Sequence, residues 1–123
     1  MKQDWKPGTM IYPLPAVMVS CGSEPSEYNI ITVAWVGTIC TNPAMCYISV
    51  RPERHSYPIL KKNMEFVINL TTCGMAYATD WCGVTSGKDH NKFVPTAVYK
   101  DVETEIVYSR PFGEFASKFE VVV

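Results

Sequence analysis

The sequence predicts a mainly β protein, an antiparallel barrel, closed or half closed, with two or three short helices. Three observations predict it. Five or six strand-like segments follow one another as neighbours and do not alternate with long helices. Two of them flank Thr41-Asn42-Pro43 and read as a hairpin with a short loop. The 123 residues suffice for one core but hardly for two, so residues 1–123 are expected to form a single domain.

Each element has its own signal. Tyr12-Pro13-Leu14-Pro15 is an extended lead-in, because the residue before a proline is pushed out of the helical region. Ala16 to Cys21, AVMVSC, reads as the first strand, and Gly22 to Glu27 as a polar turn. Tyr28 to Cys40 is rich in Ile, Val, Thr and Trp and reads as a strand, with Gly37 marking a bend or bulge. Ala44 to Val50 is its return strand. Ser56 to Lys62 makes one or two helical turns, with Lys61 and Lys62 suited to the C-terminal end. Glu65 to Leu70 is a further strand. Thr72 opens a second helical segment that Gly83 closes at its C′ position. Ser86 to Phe93 is a polar loop or short helix. Thr96 to Ser109 alternates well enough for one or two half-exposed strands, and Arg110-Pro111-Phe112-Gly113 is a turn. Phe119 to Val123, FEVVV, reads as a last strand whose open edge would favour pairing with a second copy.

Composition removes several function classes. The net charge is −1 and the pI about 6.1, so no basic surplus points to nucleic acid. No run of ~18 apolar residues is present to span a membrane. The opening MKQDWKPG lacks an apolar signal segment, so a cytoplasmic location is expected. The cysteines, at 21, 40, 46, 73 and 82, are odd in number and show no C-x-x-C spacing. Neither a disulfide framework nor a zinc site is expected, and free, mostly buried thiols are. Cys40 and Cys46 flank the hairpin turn and can lie opposite each other, though as unpaired thiols. Cys82, beside Trp81, has no resolving cysteine near it in sequence and reads as inert.

The chain has no dinucleotide-binding, P-loop or nucleophile-elbow motif, and no residue is assigned a catalytic role. The stretch with chemistry is Arg51-Pro52-Glu53-Arg54-His55-Ser56-Tyr57. Arginines offer forked donors to phosphate, Ser56 adds a hydroxyl, and the first turn of a helix adds unpaired N–H groups and a positive dipole end. Pro58 fits the first turn, where its missing N–H has no partner to lose. The same residues admit a plainer reading. Ser56 can be a helix N-cap only, and the arginines a solvated cluster with Glu53. Upstream, Thr32, Ala34, Trp35 and Thr38 lie on strands that can pass close to a flat ring. The two features together suit an aromatic ligand that ends in a phosphate.

These motifs resemble the flavin reductase family with the FMN-binding split β-barrel, in its flavoredoxin-like branch. N-x-x-T-x-A-W-x-G-x-x-x-x-x-P at Asn29 to Pro43 is followed by I-S-V-R-P-x-R-x-S-Y at Ile48 to Tyr57. Glu65 to Leu70, Ala78 to Gly83, Ser86-Gly87-Lys88-Asp89 and Lys92-Phe93 continue the series in order, so the likeness runs from about Trp5 to Phe93. The resemblance implies non-covalent FMN at a homodimer interface. Asn29 would stand with the cofactor-binding residues, Thr32, Ala34, Trp35 and Thr38 would line the flavin, and Ser49, Val50 and Arg51 would continue that wall. Arg51, Arg54, Ser56 and Tyr57 would hold the phosphate, with His55 close by. Asp89 and Lys92 would approach from the polar loop. The implied activity passes electrons from NAD(P)H through FMN to free flavin, ferric iron or a redox protein. The alternative is a non-catalytic FMN carrier or sensor. After Phe93 the likeness lapses, and the barrel is expected to close with fewer strands or with a partner chain.

Overall fold

β1 (Val17–Cys21) is the middle of a three-stranded antiparallel sheet, between β2 (Asn29–Val33) and β5 (Val67–Leu70), in this computed structural model. The structure describes residues 1–9 and 11–93. The strands expected at Thr96 to Ser109 and Phe119 to Val123, and the turn at Arg110 to Gly113, lie outside those residues. β1 pairs with β2 from Val17↔Val33 to Cys21↔Asn29, and with β5 from Val17↔Leu70 to Ser20↔Val67.

Strand alternation sorts β1 and β2 onto two faces. Val17, Val19, Cys21, Ile31 and Val33 join Ile48, Leu60 and Phe66 in one cluster. Met18 and Ile30 join Cys82 in a second. Leu60 belongs to helix α1 (Ser56–Asn63) and Cys82 to helix α2 (Ala76–Val84), so each helix covers one face of the sheet. A central strand covered on both sides reads as a continuous apolar run, as VMV does.

β3 (Val36–Thr41) and β4 (Ala44–Ile48) form a separate two-stranded hairpin with Asn42 and Pro43 at its tip. The strand predicted over Tyr28 to Cys40 is thus two strands in two sheets. It breaks at Ala34 and Trp35, and Gly37 lies inside β3. A Cβ there would come within 2.9 Å of the Tyr47 ring, so a side chain at 37 would require that exposed ring to shift. A register shift between Thr38 and Cys40 pairs Thr38 with Cys46 and Cys40 with Met45. Cys40 and Cys46 are therefore not opposite each other, and all five cysteines are free thiols.

α1 begins with Ser56 as its first helical residue; His55 is the N-cap and makes no side-chain capping bond. The helix ends at Met64, whose left-handed backbone (φ 56°) directs its N–H to Leu60 O. At its far end the Lys62 ammonium pairs with the Glu27 carboxylate. A single 3-10 turn, Cys73–Met75, leads into α2. Gly83 does not terminate α2 as expected; it is the helix's penultimate residue, and Thr85 follows as C-cap. A Cβ on Gly83 would stand 3.3 Å from Thr32 Cβ, so the glycine lets α2 lie close to β2.

The described architecture is mainly β, with antiparallel sheets and two helices. No described helix is long and apolar enough to cross a membrane.

Candidate functional site: the loop before α1 and the frame beneath it

The site starts where the chain leaves β2. Ala34 and Trp35 are exposed at the bend, with Trp35 at 43%. Ser49 N–H donates to Trp35 O at 2.8 Å, so the bend lies alongside the stretch that leaves β4. That stretch continues in two hydrogen-bonded turns. Arg54 N–H donates to Arg51 O (3.0 Å) and Tyr57 N–H to Arg54 O (2.9 Å), which delivers the chain into α1. Ala34, Trp35, Thr38, Ser49, Arg51, Arg54 and His55 are exposed along this path, and Val50 and Tyr57 are half-buried. Among the described residues neither arginine forms an ion pair, so the pairing with Glu53 considered above is not made.

Ser56 departs from the expectation. It is 1% exposed, and its Oγ accepts a 2.7 Å bond from Asn29 Nδ2. The hydroxyl expected on a phosphate is thus turned inward, towards β2. A serine opening a helix sits on the face that Leu60 also occupies one turn later, and that face is buried. Asn29, expected beside the flavin, is 3% exposed and is the donor in this internal bond.

Lys92 is buried too, at 6%. Its ammonium donates to Ile30 O and Cys82 O, each at 2.8 Å, and so ties β2 to α2. Burial pushes its pKa down, and the Arg54 guanidinium pushes it the same way, while the Cys82 and Cys21 thiols oppose that shift. The Arg54 guanidinium is thus near enough to Lys92 for the two charges to add to one positive field, which suits an anion. Thr32 is also part of the frame, its hydroxyl donating to Thr79 O in α2. Asp89 stays exposed in the turn after α2, with its N–H on Ser86 O at 3.1 Å. A groove of about 550 Å³ lies on the α2 side and is lined by Thr32, Thr72, Cys73, Thr79 and Asp80 among others.

Two residues of the frame receive no site role from the sequence, although Gly87 lies in the matched Ser86-Gly87-Lys88-Asp89 motif. Gly87 lies against the Asn29 carboxamide: a Cβ at position 87 would stand 2.1 Å from Asn29 Oδ1. Cys21 lies beside the Asn29–Ser56 bond, and its thiol points to Asn29 O at 3.8 Å. Burial pushes that thiol up to about 11, against the pull of Ser56 and Lys92. The unfolded thiol titrates near 9.0 and releases its proton first, so stability attributable to Cys21 is full below pH 9 and falls as pH rises towards 11. Between pH 8 and 10.5 the native chain is expected to lose about 2 kcal/mol more than Cys21→Ala does. Cys82, shifted up, titrates in both proteins, and Lys92, shifted down mainly by burial, loses in Cys21→Ala only the smallest of its influences. Urea unfolding at a series of pH values reads the difference, and parallel curves would remove Cys21 as its source.

The sequence pattern of the flavin reductase like domain matches residues 9–111. This chain belongs to the flavin reductase-like family. The family match continues past Phe93, where the motif series lapsed, to residue 111. Flavoredoxin of Desulfovibrio vulgaris (Miyazaki F) is 28% identical and superposes with a TM-score of 0.68, over 76% of this chain and 51% of its own. Flavoredoxin of Methanosarcina acetivorans is 26% identical with a TM-score of 0.68, over 75% of this chain and 49% of its own. The chain thus spans about half the length of these flavoredoxins. An FMN-binding protein of Thermus thermophilus shares the fold at 24% identity, with a TM-score of 0.66 over 75% of this chain and 52% of its own. In sequence, an uncharacterised protein of Pyrococcus abyssi is 24% identical over 119 residues, 85% of this chain and 69% of its own.

Proposed function

We propose that this domain binds FMN and serves electron transfer from NAD(P)H to an acceptor: free flavin, ferric iron or a redox protein. The observation that carries the reading is the pair of exposed arginines, neither in an ion pair among the described residues, set by consecutive turns at the start of α1, with buried Lys92 adding to the positive field. That donor set fits a phosphate dianion. Membership of the flavin-named family and the FMN-binding neighbour support the choice of FMN.

In this reading the phosphate rests on Arg51, Arg54 and the first turn of α1, with His55 beside it. Ala34, Trp35, Thr38, Ser49 and Val50 flank the ring. Tyr57 and Asp89 border the site. Asn29, Thr32, Ser56 and Lys92 belong to the frame that fixes these groups. FMN, once bound, supplies hydride acceptance and one- or two-electron release. The residues of this chain bind and orient it and supply positive charge; no side chain is required as acid or base. The domain functions as a homodimer that completes the split barrel. In support, Trp35, Ile39 and Tyr47 stand exposed on or beside a hairpin that is two-stranded among the described residues, an element that is marginal alone. Five free thiols agree with a reducing, cytoplasmic setting.

A flavin titration followed by visible absorbance and a sizing column tests this. Purified protein is expected to be yellow, or to become so on adding FMN, and to bleach under anaerobic NADH or NADPH. A colourless protein that takes up no FMN sinks the proposal. A yellow protein that neither cofactor bleaches makes the domain a carrier or sensor.

A further inference from the structure

Three distant parts of the chain meet at the Asn29 carboxamide. Its Nδ2 holds Ser56, the first residue of α1, at 2.7 Å. Its Oδ1 faces Gly87, where an added Cβ would lie 2.1 Å from Oδ1 and 2.6 Å from Cγ. A real Cβ does not approach so closely, so residue 87 can carry no side chain unless Asn29 moves. Gly87 in turn belongs to a tight turn centred on Ser86. The Ser86 carbonyl accepts the N–H groups of Asp89 and His90 at 3.1 Å each, and its hydroxyl accepts that of Lys88 at 3.2 Å. Any displacement of Gly87 therefore carries the polar turn with it.

We propose that Asn29 and Gly87 are positioning residues for the phosphate seat, a role that rests on the FMN reading above. The carboxamide spaces the start of α1 from the turn at 86–90, so the bulk at position 87 sets FMN affinity although glycine has no side chain to offer a ligand. The chain of effects is steric. A methyl at 87 drives the carboxamide off Ser56, Ser56 loses its anchor on β2, and the first turn of α1 shifts together with the arginine loop. A displacement of about 1 Å in a donor set of this kind is enough to cost one to two decades of affinity.

The test is a double-mutant cycle of Gly87→Ala and Asn29→Ala, read both as FMN affinity by fluorescence quenching and as urea stability. Affinities are measured where every variant is folded. Gly87→Ala is expected to raise the FMN Kd at least tenfold. In the double variant the methyl enters space that the carboxamide has vacated, so both readouts fall short of the sum of the single changes. Gly74→Ala is the control, since its nearest neighbour would be Thr72 Oγ1 at 3.9 Å, and it should leave Kd unchanged. Unaltered FMN affinity in Gly87→Ala, or strict additivity in the cycle, overturns the proposal. If Gly87→Ala alone does not fold, rescue of folding by Asn29→Ala with recovered FMN binding supports it, and failure of that rescue overturns it. Native protein that takes up no FMN overturns the flavin reading and this role with it, while sub-additive stability still registers the contact, so the two failures are told apart.

Discussion

Alanine at both Arg51 and Arg54 is expected to raise the FMN dissociation constant about a hundredfold, roughly 3 kcal/mol, with little change in urea stability. Both side chains are exposed and, among the described residues, neither is in an ion pair, so their removal leaves no buried partner unsatisfied. Their value is realised only when an anion arrives. A charge-assisted bond contributes about 1.5–3 kcal/mol, and two that share one phosphate do not add fully. The native protein should also lose affinity as salt rises, and the double variant should lose less, because part of the screened attraction is already gone. Ser56→Ala provides the contrast. Its hydroxyl is buried on Asn29, so that change should cost about 1–3 kcal/mol of stability by leaving the carboxamide unsatisfied. FMN titration beside urea unfolding separates the two behaviours. Unchanged affinity in the arginine double variant would remove the phosphate seat.

Much of this was legible in the sequence because local chemistry and tertiary structure agree. AVMVSC, the hairpin about Asn42-Pro43 and the short helix from Ser56 all form close to where propensity and turn residues put them. The failures have a common physical origin in contacts between residues far apart in the chain. β-propensity runs unbroken through Ala34-Trp35, but the chain changes sheets there, and the bend is secured by Ser49 N–H on Trp35 O. Gly83 resembles a helix terminator, yet its use is to admit Thr32 at close range. A serine or lysine in a polar loop is ordinarily solvated. Ser56 and Lys92 are buried because Asn29, Ile30 and Cys82, on other elements, offer partners that compensate the loss of water. Motif spacing therefore picked out the candidate loop and its exposed arginines, but could not separate the exposed residues from those buried in the frame beneath them.

That separation makes a second large effect predictable, at a residue the motif series never marked. Leu60→Ala should cost about 3 kcal/mol of stability and weaken FMN binding with it. α1 has eight residues, too few to persist on intrinsic propensity. Its two buried residues are Ser56 and Leu60, four apart and so on one face. Leu60 is 2% exposed, in the cluster that holds Val19, Ile31 and Ile48, and half-buried Ile59 packs against that cluster. Removing its isobutyl group opens a cavity under the helix and leaves the Asn29–Ser56 bond as the main tie of its first turn to β2. In a domain stable by only 5–15 kcal/mol, such a loss populates states in which α1 has lifted and the arginine loop has lost its geometry. On the proposed reading FMN binds only the docked state, so it should then restore stability in proportion to the logarithm of its concentration. Urea unfolding of Leu60→Ala with and without saturating FMN checks both parts. A loss below 1 kcal/mol, or no recovery with FMN in a variant that still binds it, would show that α1 is held by something other than this side chain and that its docking does not govern the site.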